Sequence, residues 1–200
     1  MRKLIYFIVC MIFFLFIREC FAEKSNLILV PEDAGRVSYL GLSIMPPKGE
    51  GWYVIQNSPN GGLNFTKNLD DVSHTLVCAL TVISSREDFN NHEEFFKYVK
   101  KQQERNMGKR RYKNMKNKYQ LCELFSDFSV EYQISVMDTK RKSSDGVNLV
   151  MKMHGYTFIH PEDSSYIVDI AYSERGISEF FTPSFETIGK EFIDNLIIEK

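Results

Sequence analysis

The sequence predicts an α+β fold: a twisted antiparallel β-sheet flanked by α-helices. Three observations support this class. Apolar stretches of strand length, separated by short polar turns, recur between Ser38 and Tyr172. An amphipathic helical pattern interrupts them after Asn91, and a second one closes the chain. Because sequential strands joined by short turns pair antiparallel, the sheet is expected to be antiparallel.

The N-terminus, residues 1–22, is predicted to be a signal peptide. Arg2 and Lys3 precede an apolar run of 14 residues, Leu4 to Ile17, and Cys20-Phe21-Ala22 places small residues at a cleavage site. Fourteen helical residues span roughly 21 Å, which is short of a hydrocarbon core about 30 Å thick. The alternatives are an uncleaved anchor or lipidation of Cys20. The pattern favours an exported protein, periplasmic or extracellular.

Cleavage after Ala22 leaves residues 23–200, a length typical of a single globular domain with a sizeable core. Within this range we find no internal repeat and no Gly/Ser-rich or Pro-rich linker. We therefore expect one domain.

The first half of this domain contains three predicted strands. Trp52 to Gln56 and Leu63 to Lys67 flank the turn-forming segment Asn57-Ser-Pro-Asn-Gly-Gly62. His74 to Ser84 follows, and both of its alternating faces are largely apolar. That pattern is typical of a central strand covered on both sides.

The first helix is predicted to begin after Asn91. Glu94, three residues later, completes a pattern like a capping box. Phe95, Phe96, Val99 and Gln103 fall on one helical face, and the lysines fall on the other. The helix is expected to end near Met107-Gly108.

The second half is predicted to contain four strands and a closing helix. The strands are Tyr119–Phe125, Asp127–Met137, Val147–Ile159 and Tyr166–Tyr172. The helix has Thr182 as its N-cap and Pro183 at its first position. Its apolar positions should pack on the sheet; they are Phe185, Ile188, Phe192 and Leu196.

Charge is concentrated in one segment. Lys97 to Lys118 contains ten basic residues and one acid, Glu104, whereas residues 23–200 as a whole have a net charge of −3. Such a block can attract an acidic protein or an anionic envelope component. The alternative is a solvated helix face followed by a loop. Nucleic acid is an unexpected partner, because no aromatic residues alternate with the basic ones. The candidate partner-binding residues are Lys100, Lys101, Arg105, Lys109, Arg110 and Arg111.

Two cysteines remain after the predicted cleavage, Cys78 and Cys122. In an oxidising compartment they can form a disulfide if their Cα atoms approach within about 7 Å. The alternative is a pair of separate buried thiols.

No catalytic, metal-binding or cofactor-binding residue is assigned. His160-Pro161-Glu162-Asp163 holds three metal-ligand types in four residues, but its composition is also that of a solvated turn. No nucleophile elbow or paired metal-ligand motif is present in the sequence. Glu174 and Arg175 are either a recognition edge for a partner or simply the exit of a strand.

The order of elements resembles the PsbP-like α/β/α sandwich family. The matching features are Ile44-Met-Pro-Pro-Lys-Gly-Glu-Gly-Trp52, the strand around Cys78, the helix after Asn91 and the helix from Phe185 to Leu196. The resemblance covers roughly Tyr39 to Ile198. It implies an exported or lumenal accessory protein that binds other proteins, and it implies no shared active site. No role as a photosystem subunit is carried over.

The expected function is therefore that of an exported, non-enzymatic accessory or binding protein of the periplasm or cell envelope. The alternative is a small secreted hydrolase with a dispersed active site. Convergence of His154 or His160 with a carboxylate and a nucleophile would favour the hydrolase.

Overall fold

The fold is α+β and its main sheet is antiparallel, as predicted. A computed structural model describes residues 27–55, 61–69, 73–108 and 111–199. The predicted signal peptide therefore lies outside the described residues. The strands are β1 (Leu27–Leu29), β2 (Val37–Tyr39), β3 (Leu42–Ile44), β4 (Tyr53–Ile55), β5 (Gly62–Asn68), β6 (Thr75–Ser84), β7 (Tyr112–Cys122), β8 (Ser129–Lys142), β9 (Asn148–Ile159), β10 (Tyr166–Gly176) and β11 (Ile197–Ile198). The helices are α1 (His92–Asn106) and α2 (Phe185–Asp194).

Eight strands form the main sheet in the order β1-β4-β5-β6-β10-β9-β8-β7, and β11-β3-β2 form a small second sheet. Strand β10 pairs with β6 from Tyr166 to Arg175 and with β9 from Ile167 to Gly176. The predicted central position of the strand around Cys78 is confirmed, because β6 is paired on both edges.

Helix α1 begins and ends as the sequence predicts. The Asn91 side chain accepts a hydrogen bond from the Glu94 backbone N–H at 3.0 Å, which satisfies one of the unpaired donors of the first turn. Phe95 and Val99 are buried against Val130 of β8 and Ile167 of β10. The periodic spacing of the apolar residues therefore correctly predicted which side of the helix faces the sheet.

Helix α2 begins later than predicted. Its N-cap is Ser184 and not Thr182. The Thr182 backbone N–H instead donates to the Glu174 carboxylate at 2.7 Å, so a tertiary contact holds this residue outside the helix. The predicted packing of the closing helix is confirmed, because Phe185 and Phe192 are buried.

The approach of α2 to the sheet requires a glycine. A Cβ atom on Gly189 would lie 2.2 Å from the Tyr172 ring, far inside van der Waals contact. Tyr172 in turn makes an edge-to-face contact with Phe185, with ring centroids 5.6 Å apart. The absent side chain lets the helix lie directly on β10.

The side chains of β10 belong to two different apolar clusters. Val168 and Ile170 pack in the cluster that contains Phe192 of α2, whereas Ile167 packs in the cluster that contains Phe95 of α1. Because successive side chains of a strand point to opposite faces, these clusters lie on opposite faces of β10.

The later part of the basic segment lies in a strand and not in the predicted loop. Strand β7 begins at Tyr112, whereas the sequence predicted a strand only from Tyr119. Lys113, Lys116 and Lys118 therefore lie on an edge strand of the main sheet. Exposed lysines on an edge strand oppose pairing with other sheets.

The candidate disulfide between Cys78 and Cys122 is not formed. Both thiols are free; Cys78 is buried and Cys122 is half-buried. Cys78 lies in β6 and Cys122 at the end of β7, with β10, β9 and β8 between them. Four strand spacings correspond to roughly 19 Å, which is far beyond disulfide reach. Burial raises the pKa of the Cys78 thiol, so this group is an inert apolar side chain.

One buried carboxyl group makes the stability of the fold depend on pH. Asp169 of β10 accepts hydrogen bonds from the Tyr132 hydroxyl at 3.0 Å and the Thr157 hydroxyl at 2.7 Å. Burial raises the pKa of Asp169 to about 6, from an ordinary value of 3.8, against the opposing effect of these two donors. Between these two pH values the folded protein holds a proton that the unfolded chain has released. The stabilisation is therefore complete below pH 3.8 and is lost as the pH rises through about 6.

We predict that Asp169→Asn removes this dependence, since the amide oxygen still accepts but cannot ionise. Urea unfolding at pH 4 to 7 measures it. The free energy of unfolding of the wild type, relative to the variant, should fall by roughly 2 kcal/mol as the pH rises across this range. Parallel pH profiles for the two proteins would contradict the assignment.

Candidate functional site

The outward side of α1 is a candidate binding surface. Its residues Lys97, Lys100, Lys101 and Arg105 are all exposed. They recur three and four residues apart, so they share one side of the helix. The opposite side of α1 is buried and carries Phe95, Val99 and Gln103. We call these four residues the α1 basic face.

The α1 basic face has little internal neutralisation. Lys97 forms an ion pair with Glu93 at 3.3 Å, one helical turn earlier. Among the residues that the structure describes, no carboxylate lies within ion-pair distance of Lys100, Lys101 or Arg105. These three cations are therefore available to an anionic partner.

Arg111, also predicted to bind a partner, is used inside the protein. Its guanidinium donates to Asp138 through Nε at 3.1 Å and through Nη2 at 2.7 Å. The Asp138 side chain is fully buried and also accepts the backbone N–H groups of Lys140 and Arg141. These two charge-assisted hydrogen bonds, both to Asp138 Oδ2, hold the start of β7 against β8. Lys109 and Arg110, which were also predicted to bind a partner, lie outside the described residues.

A second polar cluster lies on the sheet face opposite α1. The His154 Nε2 atom is 2.8 Å from the Glu131 carboxylate, and its Nδ1 atom is 3.2 Å from the Tyr172 hydroxyl. Strands β8, β9 and β10 place these three side chains in neighbouring positions. His154 pairs with Tyr172 on one side and with Gln133 on the other. Glu131 is two residues from Gln133 and therefore lies on the same face of the sheet. Each of the His154 and Glu131 side chains is 14% exposed, so solvent reaches the edge of the cluster.

This cluster can move a proton but lacks an activated nucleophile. Burial raises the pKa of Tyr172 well above its ordinary value, and the nearby carboxylates act in the same direction. The phenol is therefore neutral at physiological pH and a poor nucleophile. His154 meets a carboxylate and a hydroxyl, but only the imidazole–carboxylate pair is suited to acid–base chemistry.

The His160 turn bonds several of its polar groups to itself, whereas the buried His160 Nε2 atom has no hydrogen-bond partner among the described residues. His160 is buried, and its Nδ1 atom accepts the Glu162 backbone N–H at 3.2 Å. The Asp163 carboxylate accepts from both the hydroxyl and the backbone N–H of Ser165, and these bonds lower the pKa of Asp163. Among the described parts of the chain, no three His, Cys, Asp or Glu side chains converge into a metal-binding group.

No helix within the described ranges is both long and apolar enough to cross a membrane.

The sequence matches no protein-family model and no curated protein. The structure is similar to that of PsbP from the cyanobacterium Synechocystis sp. PCC 6803, at 11% identity and a TM-score of 0.43, covering 88% of this chain and 94% of that chain. It is also similar to the Ran-binding protein Mog1p of Saccharomyces cerevisiae, at 8% identity and a TM-score of 0.45, covering 84% and 96%. The first of these structures is that of a PsbP, the family that the sequence resembles. At these identities both similarities concern the fold alone.

Sequence reasoning missed a buried hydrogen-bonded pair, His74 and Glu174. Glu174 and Arg175 are both buried, so neither is an exposed recognition edge. The Glu174 carboxylate lies 2.7 Å from His74 Nε2, and it also accepts a hydrogen bond from the Thr182 backbone N–H. The strand pattern held a signal for this: Glu174 alternates with Tyr172 and Ile170, which face the α2 cluster.

Proposed function

We propose that this chain is an exported, non-enzymatic accessory protein that binds an anionic partner through the α1 basic face. The partner is an acidic protein or an anionic component of the cell envelope. The observation that supports this most is a set of three exposed cations, Lys100, Lys101 and Arg105, which have no counter-ion among the described residues. Long-range attraction by such a set steers association with a negatively charged surface.

We propose a PsbP-like α/β/α sandwich as the scaffold of this surface. The separate apolar clusters on the two faces of β10, one with α1 and one with α2, support this arrangement. In such a sandwich α1 forms an outer layer. Its basic side then faces away from the sheet and is free to meet a partner.

Export is the second part of the proposal, and it rests on the charged start, the apolar run and the small residues before Glu23. Mass spectrometry of the protein recovered from the cell envelope tests it. The expected N-terminal residue is Glu23, and an intact Met1 in that material would contradict cleavage.

Affinity capture from the envelope, at low and high salt, tests the binding proposal. The bait is the full chain, compared with a variant carrying Lys100→Gln, Lys101→Gln and Arg105→Gln. The Debye length falls from about 10 Å at 0.1 M salt to about 3 Å at 1 M. We expect the wild type to retain the partner at low salt and release it at high salt, and the variant to lose it at both.

A matched control removes three exposed lysines from the opposite face of the sheet. These are Lys116, Lys118 and Lys152, which share the face of His154 and are exposed. Their replacement by Gln changes net charge by the same amount, so this variant should retain the partner. Retention that is unchanged at high salt, or equal in the two triple variants, would contradict binding through α1.

The His154–Glu131 pair supports a second candidate, a small secreted hydrolase in which the imidazole activates water. Under the binding proposal, hydrolysis of p-nitrophenyl esters and of a fluorogenic peptide should not exceed that of His154→Gln. His92→Gln is the control, since His92 is an exposed residue of α1. Turnover that is lost in the His154 variant and kept in the His92 variant would favour the hydrolase.

A further inference from the structure

The guanidinium of Arg175 is buried without a full set of acceptors. Arg175 lies on β10 and is 4% exposed. Its Nη2 atom donates to the Thr75 hydroxyl at 3.2 Å. Among the residues that the structure describes, no acceptor contacts its Nε or Nη1 atoms, and both atoms are shielded from solvent.

This arrangement is energetically unfavourable unless something else completes it. An arginine does not lose its proton in a protein, so the charge remains when the group is buried. A buried cation needs an anion or several acceptors, and a single hydroxyl supplies neither a charge nor enough hydrogen bonds. Burial lowers the pKa of Arg175, and repulsion by Arg141 acts in the same direction.

The charges around Arg175 are predominantly positive. Among the described side chains, Arg111 and Arg141 repel its charge, and the Asp138 carboxylate attracts it. Asp138 already accepts two hydrogen bonds from Arg111 and two from backbone N–H groups. Asp138 therefore has its acceptor positions committed to other donors and does not complete the hydrogen bonds of Arg175.

Glu174 does not neutralise Arg175, although it is the preceding residue. Successive side chains of a strand point to opposite faces. Glu174 accordingly contacts His74 and Thr182 on the side of α2. Arg175 shares its face with Asp169 and Ile167, on the side of α1.

We propose that Arg175, Arg111 and Arg141 form a binding site for a compact oxyanion, a phosphate or sulfate group. Arg175 is the inner residue, and the half-buried Arg111 and Arg141 form the outer part of the site. Guanidinium groups bind tetrahedral oxyanions through several charge-assisted hydrogen bonds. The buried position of Arg175 selects a small anion and not an extended surface. The site is separate from the α1 basic face and does not depend on it.

Isothermal titration of the full chain with inorganic phosphate tests this site, with sulfate as a second ligand and chloride used to hold ionic strength constant. We expect saturable binding of one anion per chain. Loss of hydrogen bonds to a charged group should weaken binding by about tenfold or more in Arg175→Met. Arg86→Met removes an exposed arginine and should bind as the wild type does.

Thermal denaturation separates this role from a structural one. Phosphate should raise the unfolding midpoint of the wild type and of Arg86→Met more than that of Arg175→Met, because only a ligand of the native state adds this increment. If Arg175→Met does not fold, Arg175→Lys keeps a cation but removes the planar fork, and it should also bind more weakly.

The proposal is overturned if the wild type shows no saturable binding of phosphate or sulfate. It is also overturned if both Arg175 variants, or the folded one of the two, bind phosphate as tightly as the wild type.

Discussion

The structure depends on strand β10, which is constrained on both edges and on both faces. It pairs along almost its whole length with β6 and β9. Val168 and Ile170 pack toward α2, and Ile167 packs toward α1. Because a shift of one residue would exchange these two faces, the register of β10 decides which side chains each helix meets. The same alternation sends Glu174 to one side of the sheet and Arg175 to the other, so the two polar networks are consequences of this strand.

Features encoded within a few neighbouring residues could be predicted from the sequence. The Asn91 cap, the apolar side of α1 and the central position of the strand around Cys78 all depend on local patterns, and all were confirmed. The errors have tertiary causes. Thr182 is a good N-cap by composition, but its N–H is taken by Glu174. Cys78 and Cys122 were considered as a pair, yet three strands separate them, and no sequence spacing reveals that distance.

The candidate site likewise combines features that local sequence predicts with features that depend on tertiary structure. Helical spacing was enough to predict that Lys100 and Lys101 would be exposed on one side of α1. It could not reveal that Arg111, a few residues later, would turn inward to a carboxylate 27 positions away. The His154–Glu131 and His74–Glu174 contacts join residues 23 and 100 positions apart, so only the strand order brings them together. A count of basic residues therefore overestimates the available charge, since part of it is used to hold the sheet together.

Amide hydrogen exchange followed by mass spectrometry tests the role of β10 most directly. Opening β10 would disrupt its pairing with two strands and both apolar clusters, so its amides should exchange only when the whole fold opens. We expect peptides from β6, β9 and β10 to exchange most slowly. Peptides from the short edge strand β1, which among the described strands pairs only with β4, should exchange much faster. Exchange of β10 at the rate of β1 would contradict the account.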